Sequence, residues 1–258
     1  MSHTLKVLFC GARKLGIQCL RALNRVPSIQ IMGAVVPPST EDVWWTDVDD
    51  SVEVAGMGLR RESWESAWAA GKTYDLVFSV LTPHIFRRPH LDRSRLGIIN
   101  LHPAPLPQYR GCNSYSHALL NGESWYAVSL HYVDEGIDTG PIIGQAPLRI
   151  FGTDTARTLY NRAQQTAFWL FRHWLPRVLM AASRGTTVTA WPQGALGISP
   201  HYYGRSSLED KRVDLTWPKG RIKRKVRALQ FDPFPPAYAV VEGKRIPLQY
   251  EGGKVCLM

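Results

Sequence analysis

Two short stretches of the sequence hold residue types that can do chemistry together. The first is NLHPAPLPQYRG, residues 100–111, where Asn100 and His102 precede Pro103, Pro105 and Pro107 at alternate positions. Residues i and i+2 of a strand project to one side, so Asn100 and His102 point together and Leu101 points away. The prolines fix φ and remove backbone donors, which stiffens the segment behind the pair and stops it from continuing a sheet. The second stretch is HYVDEGIDTGPII, residues 131–143, where Gly136 and Gly140 bracket Ile137, Asp138 and Thr139. Glycines there allow a tight turn and a close approach of backbone to a ligand. An amide and an imidazole can stabilise a developing oxyanion, while a carboxylate orients and charges the imidazole. Each residue alone has a plainer reading. A histidine at a strand end is commonly structural or solvated, and Asn and Asp serve turns. Together at two strand ends they make a candidate catalytic site of Asn100, His102 and Asp138. No GxSxG segment supplies a nucleophile elbow, so the attacking group is expected to come from the substrate.

Short apolar runs must position these residues. KVLFCG, IQIMGAVV, DLVFSVL and GIINLHP read as strands of nearly continuous apolar character, which suits strands covered on both faces. RKLGIQCLRALNRV reads as a helix, with Leu15, Cys19, Ala22, Leu23 and Val26 at helical spacings, and SWESAWAAG as a short one. PPSTEDVWWTDVDDS, residues 37–51, reads as a loop. The β-α-β order predicts an α/β domain with a doubly wound, mostly parallel sheet. Its first turn, CGARKLG, has Gly11 and Gly16 but no GxGxxG. YAVSLHYV and PIIGQAPLRI are further strands joined by DEGIDTG. A long helix is expected from about Thr153 to about Arg184, with Leu159, Ala163, Ala167, Leu170, Trp174 and Val178 as a core stripe. Pro176 is expected to kink or interrupt it. Beyond Tyr202 a polar region, a basic helix KGRIKRKVRALQ and a Gly-turned antiparallel meander follow. The expected organisation is a catalytic domain over 1–201 and a small C-terminal β-rich subdomain over 202–258.

The 258 residues, 45% hydrophobic and 20% charged, have the composition of a soluble globular chain. No apolar run is long enough to span a membrane. The apolar stretch in MSHTLKVLFCG is too short for a signal peptide and reads as a first strand. Cys10, Cys19, Cys112 and Cys256 are scattered, with no CxxC. That pattern predicts reduced thiols in the cytoplasm, with no disulfide framework and no zinc site. The net charge of +10 suits anionic partners such as phosphates, nucleotides or nucleic acid, and equally a solvated basic surface.

NLHPAPLPQYRG followed by HYVDEGIDTGPII resembles the folate-dependent formyltransferase family. The family pattern is Asn-x-His-x-Ser-x-Leu-Pro-x-x-Arg-Gly with a later Asp-x-Gly. Asn100, His102, Leu106, Pro107, Arg110, Gly111, Asp138 and Gly140 match it, while Ala104 stands where many members have Ser. The resemblance covers roughly residues 5–190. It implies a Rossmann-like formyltransferase fold and N10-formyltetrahydrofolate as formyl donor, and no metal is expected because no cluster of His, Cys or carboxylates stands at ligand spacing. It implies also that a neutral amine attacks the formyl carbon, that Asn100 and His102 stabilise the oxyanion, and that Asp138 holds His102 and helps pass the proton. SVLTPHIF matches a family segment lining the folate pocket, which nominates Leu81, Thr82, Pro83, His84 and Ile85. The loop of Val133, Asp134 and Gly136 would close over the pterin.

Three acceptors compete. The transfer-RNA reading gains from the charge and from the basic helix, but the family's methionyl-tRNA formyltransferases are longer and carry a full C-terminal β-barrel. The glycinamide ribonucleotide enzyme is shorter and lacks an appended meander. HYYGRSSLEDKRVDLTW and RALQFDPFPPAYAVVEGKRI resemble the C-terminal portion of sugar N-formyltransferases. The expected acceptor is therefore a nucleotide-diphosphate amino sugar, with GDP-linked perosamine of O-antigen and lipopolysaccharide synthesis as the particular candidate. Tyr109, Arg110 and Asn113 follow the catalytic strand and are expected at the sugar or its phosphates. Arg110 reads equally well as half of an ion pair. Trp44 or Trp45 is the candidate face for the base. The alternatives are a methionyl-tRNA formyltransferase-like enzyme and a non-catalytic nucleotide- or RNA-binding module. No membrane partner is expected, and nucleic acid is not the favoured one. The C-terminal meander leaves two readings open, a homodimer surface or the lid of a small core.

Overall fold

A computed structural model describes residues 4–37 and 50–257. Strand and helix alternate through β1 (Leu5–Gly11), α1 (Arg13–Asn24), β2 (Ile29–Val35), α2 (Asp50–Gly56), β3 (Arg61–Glu62), α3 (Trp64–Ala67), β4 (Leu76–Val80), α4 (Arg88–Leu91) and β5 (Ile98–His102). Then come β6 (Arg110–Gly111), α5 (Ser114–Asn121), β7 (Trp125–Tyr132), β8 (Ile142–Arg149) and the long α6 (Ala156–Ser183). Beyond α6 lie β9 (Tyr202–Tyr203), β10 (Arg212–Val213), α7 (Lys219–Leu229), β11 (Tyr238–Val241), β12 (Lys244–Glu251) and β13 (Lys254–Leu257).

Seven strands form the central sheet in the order β3-β2-β1-β4-β5-β7-β8. The first five are parallel, as the apolar runs predict. β7 runs antiparallel to both β5 and β8. Residues 133–141, which join β7 to β8, are too few for the crossover that a parallel pair needs, so the sheet is mixed at this edge.

Strand alternation sorts the side chains into two layers. Val7, Phe9, Phe78, Val80, Ile99, Leu101, Val128 and Leu130 face α1 and α6 and join the main core with Leu20, Leu23, Leu159, Leu170 and Phe171. Each such side chain, fully buried, is worth about 1.5–3 kcal/mol. Leu8, Cys10, Val35, Val77 and Ile98 face the other way, into a smaller cluster with Trp68, Tyr74 and Phe86. Along β4, β5 and β7 that second face turns polar, with Ser79, Asn100, His102, Ser129 and His131 in the alternate positions. The site is cut into one face of an otherwise apolar sheet.

Three local expectations change. Helix α6 runs unbroken through Pro176. Pro176 and Arg172 are both exposed, so water can serve the Arg172 carbonyl that the proline leaves without a donor. The 37–51 loop is shorter than expected at its far end, because α2 starts at Asp50 and buries Val54 in the main core. Of the expected α6 stripe, Trp174 is only half-buried. It packs over Gly144, where a Cβ would stand 2.2 Å from its Nε1.

The C-terminal sheet has the order β10-β11-β12-β13, with β10 and β11 parallel and the rest antiparallel. Val213, Val226, Leu229, Ala239, Leu248 and Tyr250 form its own apolar cluster. Arg227 anchors it to the first part, since its Nε donates to the Asp154 carbonyl at 2.5 Å and its Nη2 to the Phe151 carbonyl at 2.7 Å. No helix among the described residues is long and apolar enough to cross a membrane.

Candidate active site

The polar residues meet along one rung of the sheet. Cys10 lies opposite Ser79, Ser79 opposite Asn100, and Asn100 opposite His131. Side chains in register on one face are within reach of each other, and here they form a chain of hydrogen bonds. Ser79 Oγ donates to Asn100 Oδ1 at 2.8 Å. Asn100 Nδ2 donates to His131 Nε2 at 3.1 Å. His131 Nδ1 donates to the Tyr132 carbonyl at 2.7 Å.

The chain fixes its own protons. A carbonyl can only accept, so His131 carries its hydrogen on Nδ1, and Nε2 is then an acceptor. A reversed Asn100 amide would set its oxygen against that lone pair. The amide is therefore held with one N–H on His131, and its second N–H has no partner among the described residues. His131 must be neutral for this to hold. Burial does that, lowering its pKa to about 4 although Asp138 pulls the other way.

His102, buried at the end of β5, donates from Nε2 to the Tyr109 carbonyl at 2.9 Å. Its Nδ1 faces Asp138 Oδ2 at 3.7 Å, and His131 Nε2 is 3.7 Å from Asp138 Oδ1. The carboxylate thus sits between two imidazoles. Its Oδ2 also accepts the Gly111 N–H at 2.9 Å. Burial by itself would raise the Asp138 carboxyl. The attraction of His102, first of all, and the Gly111 N–H outweigh it, and the carboxyl ends below its ordinary range. Asp138 has φ 54, a left-handed conformation that an L-residue adopts at a cost. Gly140 is required nearby, because a Cβ would lie 1.9 Å from the Tyr132 carbonyl oxygen.

The three expected catalytic residues are therefore brought together. The two expected folate segments flank them. Leu81, with φ 56, opens the first segment directly after β4. Thr82 is half-buried, while Pro83, His84 and Ile85 are exposed. The His84 ring stacks on Trp64 with centroids 4.3 Å apart. In the second segment, Asp134 Oδ1 accepts from the Gly136 N–H at 3.1 Å and from the Thr139 hydroxyl. Val133 packs against the smaller apolar cluster. Arg88, at the start of α4 three residues past the first segment, lies 3.8 Å from Glu135 of the second.

The expected acceptor residues have partners within the chain. Tyr109 is buried, its ring stacked on Tyr203 and its hydroxyl donating to Glu123 at 2.9 Å. It serves the site through its carbonyl. Arg110 directs its guanidinium to Gln193. Asn113 donates to the Arg205 carbonyl at 3.1 Å. Gln193, Tyr203 and Arg205, from the segment that returns after α6, meet Arg110, Tyr109 and Asn113. Trp44 and Trp45 lie outside the described residues. Sequence reasoning missed Ser79 and His131. His131 stood inside the quoted motif, but only the pairing of β5 with β7 shows that it faces Asn100. No group of three or more His, Cys, Asp or Glu among the described residues is arranged to hold a metal ion.

Two buried neutral histidines make stability depend on pH. His117 and His131 are each lowered by burial to about 4 from 6.5. Below 6.5 the unfolded chain binds protons that the folded chain refuses. Their contribution is complete above 6.5 and lost as pH falls toward 4. Each accounts for up to about 3 kcal/mol. Urea midpoints measured from pH 7.5 to 5 should fall steeply, and less steeply in His117→Gln. Parallel curves for the two proteins would refute this assignment.

Fold and site together define a class. A family model described as formyl transferase matches residues 70–178, a span that contains Asn100, His102 and Asp138. Particular relatives sharpen this. The chain is 35% identical over 170 residues to GDP-perosamine N-formyltransferase of Brucella melitensis, a match taking in 66% of this chain and 62% of that one. It therefore spans less than two thirds of this relative's length. It is 28% identical over 267 residues to methionyl-tRNA formyltransferase of Burkholderia orbicola, covering 96% of this chain and 78% of the relative. Two solved structures share the fold. One is the N-formyltransferase from Helicobacter canadensis in complex with folinic acid and dTDP-3-aminofucose (TM-score 0.74, 22% identity, 96% of this chain and 89% of that one). The other is a 4-N formyltransferase from Francisella tularensis (TM-score 0.77, 18% identity, 96% and 99%).

Proposed function

We propose that the chain transfers the formyl group of N10-formyltetrahydrofolate to the amine of a nucleotide-diphosphate amino sugar. The observation that carries this is the Asn100 amide, oriented from both sides with one N–H to spare, beside the His102–Asp138 pair. The amine lone pair attacks the formyl carbon, and the carbonyl oxygen becomes an oxyanion that the spare Asn100 N–H stabilises. The attacking nitrogen then holds a surplus proton. Asp138 and His102 take it up and deliver it to the folate nitrogen as the bond from carbon to that nitrogen breaks. Leu81, Thr82, Pro83, His84 and Ile85 on one side, and Val133, Asp134 and Gly136 on the other, are the walls for the folate. The placement of the two segments on either side of β5, after β4 and after β7, supports that reading.

The sugar acceptor is supported by the Brucella relative, whose name specifies GDP-perosamine, and by the Helicobacter neighbour, whose complex holds a dTDP amino sugar. A role in O-antigen synthesis in the cytoplasm goes with the first of these. Residues 1–201 would be the catalytic domain and 202–258 a small subdomain, a division supported by the separate apolar cluster of the C-terminal sheet. A second reading, methionyl-tRNA as acceptor, is favoured by one observation, the long match to transfer-RNA enzymes. An acceptor panel decides between them: dTDP-, GDP- and UDP-linked amino sugars, initiator methionyl-tRNA and glycinamide ribonucleotide, each with N10-formyltetrahydrofolate. Formylation of a nucleotide sugar is expected. Formylation of the charged tRNA alone would overturn the sugar reading and leave formyl transfer standing. Transfer to none of them would overturn both.

A further inference from the structure

Asp138 holds a left-handed conformation, so something must keep it there. The segment after α6 returns to do so. Its Trp191 exchanges both backbone hydrogen bonds with Ile142, at 2.8 and 2.9 Å. Two residues on, the Gln193 side chain enters the site and is only 4% exposed. Its Nε2 donates to the Asp138 carbonyl and to the Gly140 carbonyl, each at 2.8 Å. Its Oε1 accepts from Arg110 Nε at 3.1 Å and Nη2 at 2.7 Å. Both donors and both lone pairs of one amide are used. The amide cannot be reversed, since its NH2 would then face a guanidinium and its oxygen two carbonyls. Farther along, the same segment forms β9 beside β6, with Arg110 N–H on the His201 carbonyl at 3.0 Å and Cys112 N–H on the Tyr203 carbonyl at 2.8 Å. Between these two anchors lies Gly111, whose N–H holds the Asp138 carboxylate.

We infer that Gln193 is a positioning residue, which locks the loop carrying Asp138 to the loop carrying Gly111 and so sets the carboxylate against His102. The inference rests on the catalytic reading of Asp138 given above. A fully satisfied buried amide is rigid in a way that a partly satisfied one is not. It ties together residues 53 to 83 positions apart in the chain, which no local turn could do. It acts on Asp138 through the backbone and touches no substrate.

The test compares Gln193→Ala, Gln193→Glu and Ser207→Ala. The glutamate keeps the acceptors for Arg110 but gives up both donated bonds. Ser207 pins the outer part of the same segment, with its hydroxyl 2.8 Å from His117 Nε2, and does not reach Asp138. Both Gln193 variants are expected to lose kcat by ~10²-fold, the scale of a small misplacement of catalytic groups, with KM for the folate nearly unchanged. Ser207→Ala should keep the wild-type rate. Independently of activity, the Gly111 amide resonance should shift upfield in both Gln193 variants as its bond to Asp138 loosens. If Gln193→Ala does not fold, Gln193→Glu decides alone. Wild-type kcat in the Gln193 variants, equal losses in Ser207→Ala, or an unmoved Gly111 amide would each overturn the inference. The amide readout stands even if the acceptor panel fails, so the two proposals fail separately.

Discussion

Asp138→Asn is expected to lower kcat by ~10²–10⁴-fold, the usual worth of a positioned acid–base group, while leaving the fold intact. The substitution is nearly isosteric. If the new amide keeps its oxygen on the Gly111 N–H, the loop conformation survives, and its NH2 then takes the place of Oδ1, facing His131 Nε2. What is lost is charge. A neutral amide cannot take the proton released by the attacking amine, nor stabilise an imidazolium at His102. His102→Asn should fall in the same range, since it removes the Nδ1 that faces the carboxylate. Steady-state rates together with thermal midpoints check this. Wild-type-like turnover in both variants would remove the catalytic assignment from these residues.

The second large effect concerns Asn100. Asn100→Ala removes the amide donor that the rung leaves free and should cost ~10²–10³ in the chemical step, or about 2.7–4 kcal/mol. Binding of the folate should be retained. Asn100→Asp should be worse than alanine despite its closer shape. Its carboxylate would set an oxygen against His131 Nε2, draw a proton there, and repel the developing oxyanion. Single-turnover rates at saturating folate separate the chemical step from binding. An alanine variant within a few-fold of wild type, or an aspartate better than alanine, would contradict the oxyanion role.

The catalytic pair was legible because strand geometry has a period of two, so Asn100 and His102 could be placed on one side from spacing alone. Asp138 was legible from its flanking glycines. Ser79 and His131 were not, because their meaning lies in register across neighbouring strands, and a single sequence does not print register. Gln193 was hidden for the same reason at greater range. The antiparallel turn of β7 and β8 could have been read from the short DEGIDTG connection, which leaves no room for a crossover helix. Helix α5 escaped because SYSHALLN is short and its N-cap, Asn113, is left-handed with no side-chain capping bond. The internal partners of the three acceptor candidates were not legible either. Gln193, Tyr203 and Arg205, which meet Arg110, Tyr109 and Asn113, stand some 80 to 90 positions farther along the chain.

That returning segment also dates the site within the life of the chain. Every residue of the two sequence motifs has left the ribosome some fifty positions before Gln193, and the sheet rung that orients Asn100 needs nothing beyond β7. A nascent protein can therefore possess a finished sheet and still lack the clamp on Asp138. Synthesis order makes the clamp a late acquisition, added when α6 is already complete and the chain doubles back across its own earlier loops.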